Sequence, residues 1–185
     1  FLILYHKNHP TGIDRGIFSY NKLKRKELIM WNKIKPYVIS IVIALAVGGL
    51  SAVLTMDNMS IYDEIRTPPL SPPSILFPIV WTVLYILMGI SAAIIYSNKY
   101  IDTDEARSGL RTYGASLVFN FLWSIVFFNF KWFGFAFFWL LALLFLIIKT
   151  IVCYFKINRI AAYLQIPYGI WVAFAGYLNF GIWML

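Results

Sequence analysis

At 185 residues the chain has the length of one domain, yet 61% of it is hydrophobic and only 13% is charged. Soluble domains carry about a quarter charged residues, so this composition, with a mean hydropathy of +0.73, excludes an ordinary soluble fold and points to an all-α integral membrane protein. The net charge of +8 sits in a basic leader and in loops between apolar runs, a membrane-topology pattern that argues against nucleic-acid binding.

Taken in order, residues 1–29 are mixed, polar and without period, and they lack the order of a secretory signal. Met30 is followed by Trp-Asn-Lys-Ile-Lys-Pro and then the first apolar run, as in a short cytoplasmic leader. Two readings of 1–29 stand: a basic tail, or upstream sequence translated in frame, with Lys26-Glu27 encoded by a purine-rich ribosome-binding site and Met30 as the native start. On the second, 1–29 is an extension and 30–185 the membrane domain; N-terminal sequencing separates the two. Five runs then reach the roughly 17–25 residues needed to span a bilayer, at about 37–56, 75–96, 110–130, 133–154 and 160–185. Short connections make sequential neighbours antiparallel, which predicts a five-transmembrane-helix bundle. Lys33, Lys35, Lys99, Arg107, Arg111, Lys156 and Arg159 fall on one side, against Arg66 and Lys131 on the other. The bias places the N-terminus in the cytoplasm and the C-terminus outside it. Lys149, near the end of the fourth run, can snorkel to the inner face.

The first helix carries Ala44, Gly48 and Ala52, a ridge of small residues that reads as a packing face or a dimer face. The stretch 62–88 joins a polar loop with two proline pairs, Pro68-Pro69 and Pro72-Pro73, to an apolar helix. Neither pair fits inside a regular helix, so Pro68, Pro72 and Pro73 are expected to form a stiff lid. Phe77, Trp81, Tyr85 and Met88 then share one helix face, the wall of a pocket for a flat apolar ligand. The third helix adds Tyr113, Ser116, Asn120, Trp123 and Phe127 at helical spacing. Asn120 is costly in hydrocarbon unless it faces protein, water or ligand, and both a helix tie and a ligand contact satisfy it. The fifth helix carries Tyr168, Trp171, Ala175 and Leu178; Trp171 is too deep in its span for an interfacial anchor.

The chain lacks other chemistry. A single cysteine, Cys153, leaves no disulfide or cysteine cluster, and His6 and His9 precede the apolar runs, so no metal site is expected. No Asp, Glu, Arg or His lies within the middle of a run, which disfavours ion-coupled transport, and no nucleophile has a base beside it.

At these residues the chain resembles the TspO/translocator-protein family of tryptophan-rich sensory proteins, related to the peripheral-type benzodiazepine receptor. The resemblance rests on Tyr62, Pro68, Pro72-Pro73, Phe77-Pro78, Trp81-Thr82, Leu84-Tyr85 and Met88-Gly89. It continues at Asn120, Trp123-Ser124, Phe127-Phe128, Pro167-Tyr168, Trp171-Val172, Phe174-Ala175 and Leu178-Asn179. Leu70 stands where many members have tryptophan, and no basic residue follows Leu178-Asn179 to complete a cholesterol motif. The resemblance implies a five-helix bundle, commonly a homodimer, in a bacterial cell membrane. It would bind protoporphyrin IX or haem as ligand and require no cofactor, and some members take sterols or benzodiazepine-type drugs. The implied ligand-binding residues are Tyr62, Trp81, Asn120, Trp123, Trp171 and Ala175. Implied functions are a tetrapyrrole receptor or sensor that also carries its ligand, or a light-dependent porphyrin-degrading enzyme with Trp81 and Trp171 as redox partners.

Overall fold

A computed structural model describes residues 12–59, 62, 65–98 and 103–185, with side chains from residue 24 onward. The regular elements among the described residues are all helical, with no strand. Five helices follow in order: α1 Gly12–Thr55, α2 Leu76–Tyr96, α3 Asp104–Ser124, α4 Phe133–Phe155 and α5 Arg159–Met184. A 3-10 turn, Met56–Asn58, closes α1, and a π-helical segment, Ile125–Asn129, extends α3. The chain divides into two units, Phe1–Lys35 and Pro36–Leu185.

In the first unit, the expected 1–29 extension lies partly outside the described residues. From Gly12 onward it is helical, so α1 begins well before position 37, where the apolar run starts. The segment carries Lys22, Leu23, Lys24, Arg25, Lys26, Glu27 and Leu28 in succession, all good helix formers. Leu28, Ile29, Met30 and Trp31 are all exposed.

In the second unit α4 packs against both α3 and α5, and α2 against α5 and, less extensively, α3. Helix α1 lies against α2, where Gly89 is required: a Cβ there would sit 2.6 Å from the Cα of Ile41. Its outer face stays exposed, with Val42, Ile43 and Val53 more than half accessible. The ridge of Ala44 and Gly48 turns towards α2 of the same chain: Ala44 is fully buried, and a Cβ on Gly48 would fall on the Tyr85 ring.

Helix ends follow local chemistry. Thr103 caps α3 by accepting from the Ala106 N–H at 3.3 Å, with Asp104 and Glu105 in the first turn. The cap starts α3 six residues before the apolar run at 110, so Arg107 and Arg111 lie on the helix and not in a loop. Asn158 caps α5 in the same way through the Ala161 N–H at 3.1 Å. The tight turn expected at Lys131-Trp132 is present, and Lys131 takes a left-handed φ of 57°.

Four of the helices, at Lys24–Asn58, Leu76–Tyr96, Asp104–Asn129 and Phe133–Phe155, are long and apolar enough to cross a membrane. Helix α5 has the length, at 26 residues, but is not among these four. Its polar side chains point inward: Gln165 and Asn179 are each 1% exposed.

Candidate functional site

The aromatic face of α2 does not pack flush against α1. Leu45, Gly48, Ser51 and Ala52 of α1, Phe77, Trp81 and Tyr85 of α2, and Trp123 and Phe128 at the end of α3 enclose a cavity of about 240 Å³. The small residues of α1 make this space, because side chains at Gly48 and Ala52 larger than those present would fill it. The π-helical turn contributes the opposite wall by adding a residue to the helix, and such turns recur at functional sites. It also seals the end of α1: Asn129 donates to the Leu54 carbonyl at 2.9 Å and accepts from Asn58 Nδ2 at 3.1 Å. A second hollow of about 290 Å³ shares Met59, Phe77, Pro78 and Phe128 with the first and extends to Tyr62 and Ser74.

The cavity wall is aromatic with one oriented polar group. Trp81 and Tyr85 lie 5.6 Å apart, ring to ring, and Trp123 lies 5.3 Å from Phe127. Tyr85 Oη accepts from Asn120 Nδ2 at 2.9 Å. With its lone pair engaged by the amide, the phenol is set to donate its own proton to an acceptor in the cavity. The two threonine hydroxyls are oriented the other way. Thr55 donates to the Ser51 carbonyl at 2.9 Å and Thr82 to the Pro78 carbonyl at 2.7 Å, so each turns its proton towards its own helix.

The sequence-predicted residues divide into two groups. Trp81 and Trp123 line the cavity and Tyr62 lines the adjoining hollow. Asn120 is 1% exposed and stands behind Tyr85, so it meets the cavity through that phenol. Trp171 and Ala175 line neither space. Trp171 packs against Phe77 at 5.9 Å, one ring removed from the cavity, and its Nε1 is buried with no hydrogen-bond partner among the described residues. Ala175 is in the core at 6% exposure.

The proline loop is anchored at both ends. Tyr62 Oη donates to the Pro72 carbonyl at 3.3 Å, and the Tyr62 ring meets Phe77 edge-on at 4.9 Å. Buried Pro68 rests on Gly181 of α5, where a Cβ would come within 2.5 Å of its ring, and Tyr177 donates to the Pro69 carbonyl at 2.8 Å. Between these anchors Leu70 is 84% exposed with a φ of 69°. Of the loop, Tyr62, Ser74 and Ile75 border the second hollow, and the expected lid residues Pro68, Pro72 and Pro73 are not among its lining residues. Replacing Pro72 and Pro73 with alanine releases backbone freedom of about 0.4–1 kcal/mol each. Ligand dissociation is expected to accelerate several-fold, with a stability loss of no more than about 2 kcal/mol in total, as stopped-flow displacement and thermal unfolding would show; parental rates would remove the lid.

Sequence reasoning placed Tyr85 on the pocket wall, Gly48 on the small-residue ridge, and Phe128 and Asn179 in the family motifs, but gave none of them a contact. Tyr85 was on the predicted aromatic face, but nothing marked it as the partner of Asn120. Asn179 accepts from Trp123 Nε1 at 3.3 Å and donates to the Phe133 carbonyl at 2.7 Å, tying three helices together. A buried amide near the end of α5 was the available signal for it.

The TspO/MBR family model matches residues 40–184 of this chain. The chain belongs to the TspO/MBR family. Relatives span distant organisms. The tryptophan-rich protein TspO of Archaeoglobus fulgidus is 34% identical over 149 residues, covering 80% of this chain and 95% of that protein. Protein CrtK of Rhodobacter capsulatus is 35% identical over 124 residues, covering 67% and 77%. The human translocator protein is 30% identical over 127 residues, covering 69% and 75%. As a TspO/MBR protein the chain is a membrane protein, in keeping with its apolar helices.

The pair Tyr85 and Asn120 can be separated experimentally. Tyr85→Phe leaves the Asn120 amide buried without a partner and should cost about 1–3 kcal/mol of stability. Asn120→Leu removes that amide, and Tyr85 keeps the cavity as an outlet for its hydroxyl, so stability should change by less than about 1 kcal/mol. Both variants should weaken binding of a carboxylate ligand by about 0.5–1.5 kcal/mol. Equal stability losses would mean that the bond is only a helix tie.

Proposed function

We propose that this TspO/MBR protein is a membrane receptor for tetrapyrroles such as protoporphyrin IX and haem, held between α1, α2 and α3. One observation carries the reading: an aromatic cavity with a single aimed phenol, Tyr85, whose proton is directed by Asn120. Flat rings of Trp81 and Trp123 suit a macrocycle face, and the phenol suits one of its carboxylates. At about 240 Å³ the cavity alone is below the roughly 300–1,000 Å³ of typical ligand sites. Movement of the shared side chains of Phe77 and Met59 would join it to the hollow under the loop and bring the space into that range.

A second reading, light-driven breakdown of bound porphyrin, is favoured by the ring sequence from Trp81 to Tyr85 at 5.6 Å and to Tyr168 at 6.1 Å. Such a sequence offers electrons to an excited ligand. Titrating purified protein with protoporphyrin IX in the dark, then under illumination, tests both. Saturable tryptophan quenching with intact porphyrin absorbance supports the receptor. A new product spectrum abolished by Trp81→Phe assigns the enzyme instead, and no saturation in the dark overturns the receptor.

In the proposed membrane arrangement all five helices cross, α5 included, since its polar groups face protein. The N-terminus is then cytoplasmic and the C-terminus extracytoplasmic. A C-terminal alkaline phosphatase fusion is expected to be active and a C-terminal green fluorescent fusion dark. The reverse result would mean that α5 does not cross.

A further inference from the structure

At the end of the bundle away from the proline loop lies an open trough of about 440 Å³ between α3 and α4. It is bordered by Asp104, Arg107, Ser108, Arg111, Thr112 and Lys149. Three cations thus face one carboxylate. The α3 members recur at helical spacing on one face, and Lys149 reaches in from the neighbouring helix. Thr150 Oγ1 donates to Thr112 Oγ1 at 3.1 Å and fixes the two helices beneath the charges. Arg111 and Lys149 are exposed and have no ion-pair or hydrogen-bond partner among the described residues.

Depth decides what these cations meet. Arg111 lies seven residues inside α3, and Lys149 six residues before the end of α4. At 1.5 Å per residue both are about 9–10 Å below their helix ends. Both helices are long and apolar enough to cross a membrane, which sets the two charges at the border between headgroups and hydrocarbon. An uncompensated charge at that level is costly, and Arg111 and Lys149 meet no carboxylate partner among the described residues. The deeper surface is apolar: Val118, two turns below Arg111, is 55% exposed, and Phe145, one turn below Lys149, is 67% exposed.

We infer that this trough binds a phosphate anion, the phosphodiester headgroup of an acidic phospholipid, with its acyl chains along Val118 and Phe145. The basic groups and the Ser108 hydroxyl supply donors, and the exposed apolar side chains supply the surface that a soluble phosphate would not use. The inference rests on α3 and α4 as membrane spans and is independent of the tetrapyrrole reading.

Native mass spectrometry of the full chain, released from nanodiscs of equal phosphatidylglycerol and phosphatidylcholine, tests it. The parent is expected to retain phosphatidylglycerol over phosphatidylcholine by about thirtyfold, the scale for two basic groups at an anionic surface. Arg111→Gln with Lys149→Gln should reduce the ratio to near parity. Arg111→Lys with Lys149→Arg, which preserves charge and guards against a folding artefact, should keep it. Lys156→Gln, at the same membrane face but outside the trough, should leave it unchanged. An undiminished preference in the double glutamine variant, or an equal loss in Lys156→Gln, would overturn the site. Displacement of the lipid by millimolar inorganic phosphate would assign it to a soluble anion and overturn the lipid.

Discussion

Trp123→Ala is expected to destabilise the protein by about 3–5 kcal/mol, the range for truncating a buried Trp or Phe. The indole is 7% exposed and packs on Phe127 at 5.3 Å and Phe128 at 6.3 Å, so its removal opens a void beside the existing cavity. It also breaks the bond to Asn179 Oδ1, an amide that is itself 1% exposed. An unpartnered buried acceptor carries its own penalty of about 1–3 kcal/mol. Asn179 would keep its bond to the Phe133 carbonyl, so α5 and α4 stay joined while α3 loosens. Thermal unfolding in detergent would show the loss. Trp123→Phe, which keeps a ring and drops the donor, should fall about midway. A change under about 1 kcal/mol for the alanine variant would mean that the three-helix tie does not hold the bundle.

Trp81→Ala is expected to weaken protoporphyrin binding by about 2 kcal/mol or more, roughly thirtyfold, as for other aromatic anchors in desolvated sites. Trp81 is half-buried on the cavity wall and contacts Tyr85 and Tyr168 at 5.6 and 6.1 Å, so its loss from the fold is smaller than that of Trp123. Affinity should therefore fall further than stability. Trp171→Ala gives the contrast. That ring lies behind Phe77, outside both hollows, and its removal should cost less affinity than removal of Trp81. Fluorescence titration of the two variants orders them; the opposite order would move the ligand to the α5 side of the bundle.

Much of this architecture was legible in the sequence because long apolar helices declare themselves. Uninterrupted apolar runs placed α2, α4 and α5 within a residue of their helical limits. Where a helix is set by caps and charge, the apolar run was the wrong ruler: α3 begins at its Thr103 cap, and α1 continues upstream through polar residues. The site was half legible. Period alone gathered Phe77, Trp81 and Tyr85 on one face and Asn120 and Trp123 on another. Period does not show which neighbour a face meets. The face of Ala44, Gly48 and Ala52, open to a dimer reading from sequence, meets α2 within the chain and furnishes a cavity wall. The two α5 positions, Trp171 and Ala175, came with the family likeness and the α5 stripe, and neither lines the cavity. Tyr85 and Asn179 could not be ranked from sequence, since their roles depend on hydrogen bonds between residues 35 and 56 positions apart.

The most direct test of the tetrapyrrole site is a structure of the protein in complex with protoporphyrin IX. The account predicts the macrocycle between α1, α2 and α3, with a face on Trp81 or Trp123 and a carboxylate within about 3 Å of Tyr85 Oη. Porphyrin density against Trp171 and Ala175 alone, or on the outer surface of the bundle with the cavity unchanged, would contradict it.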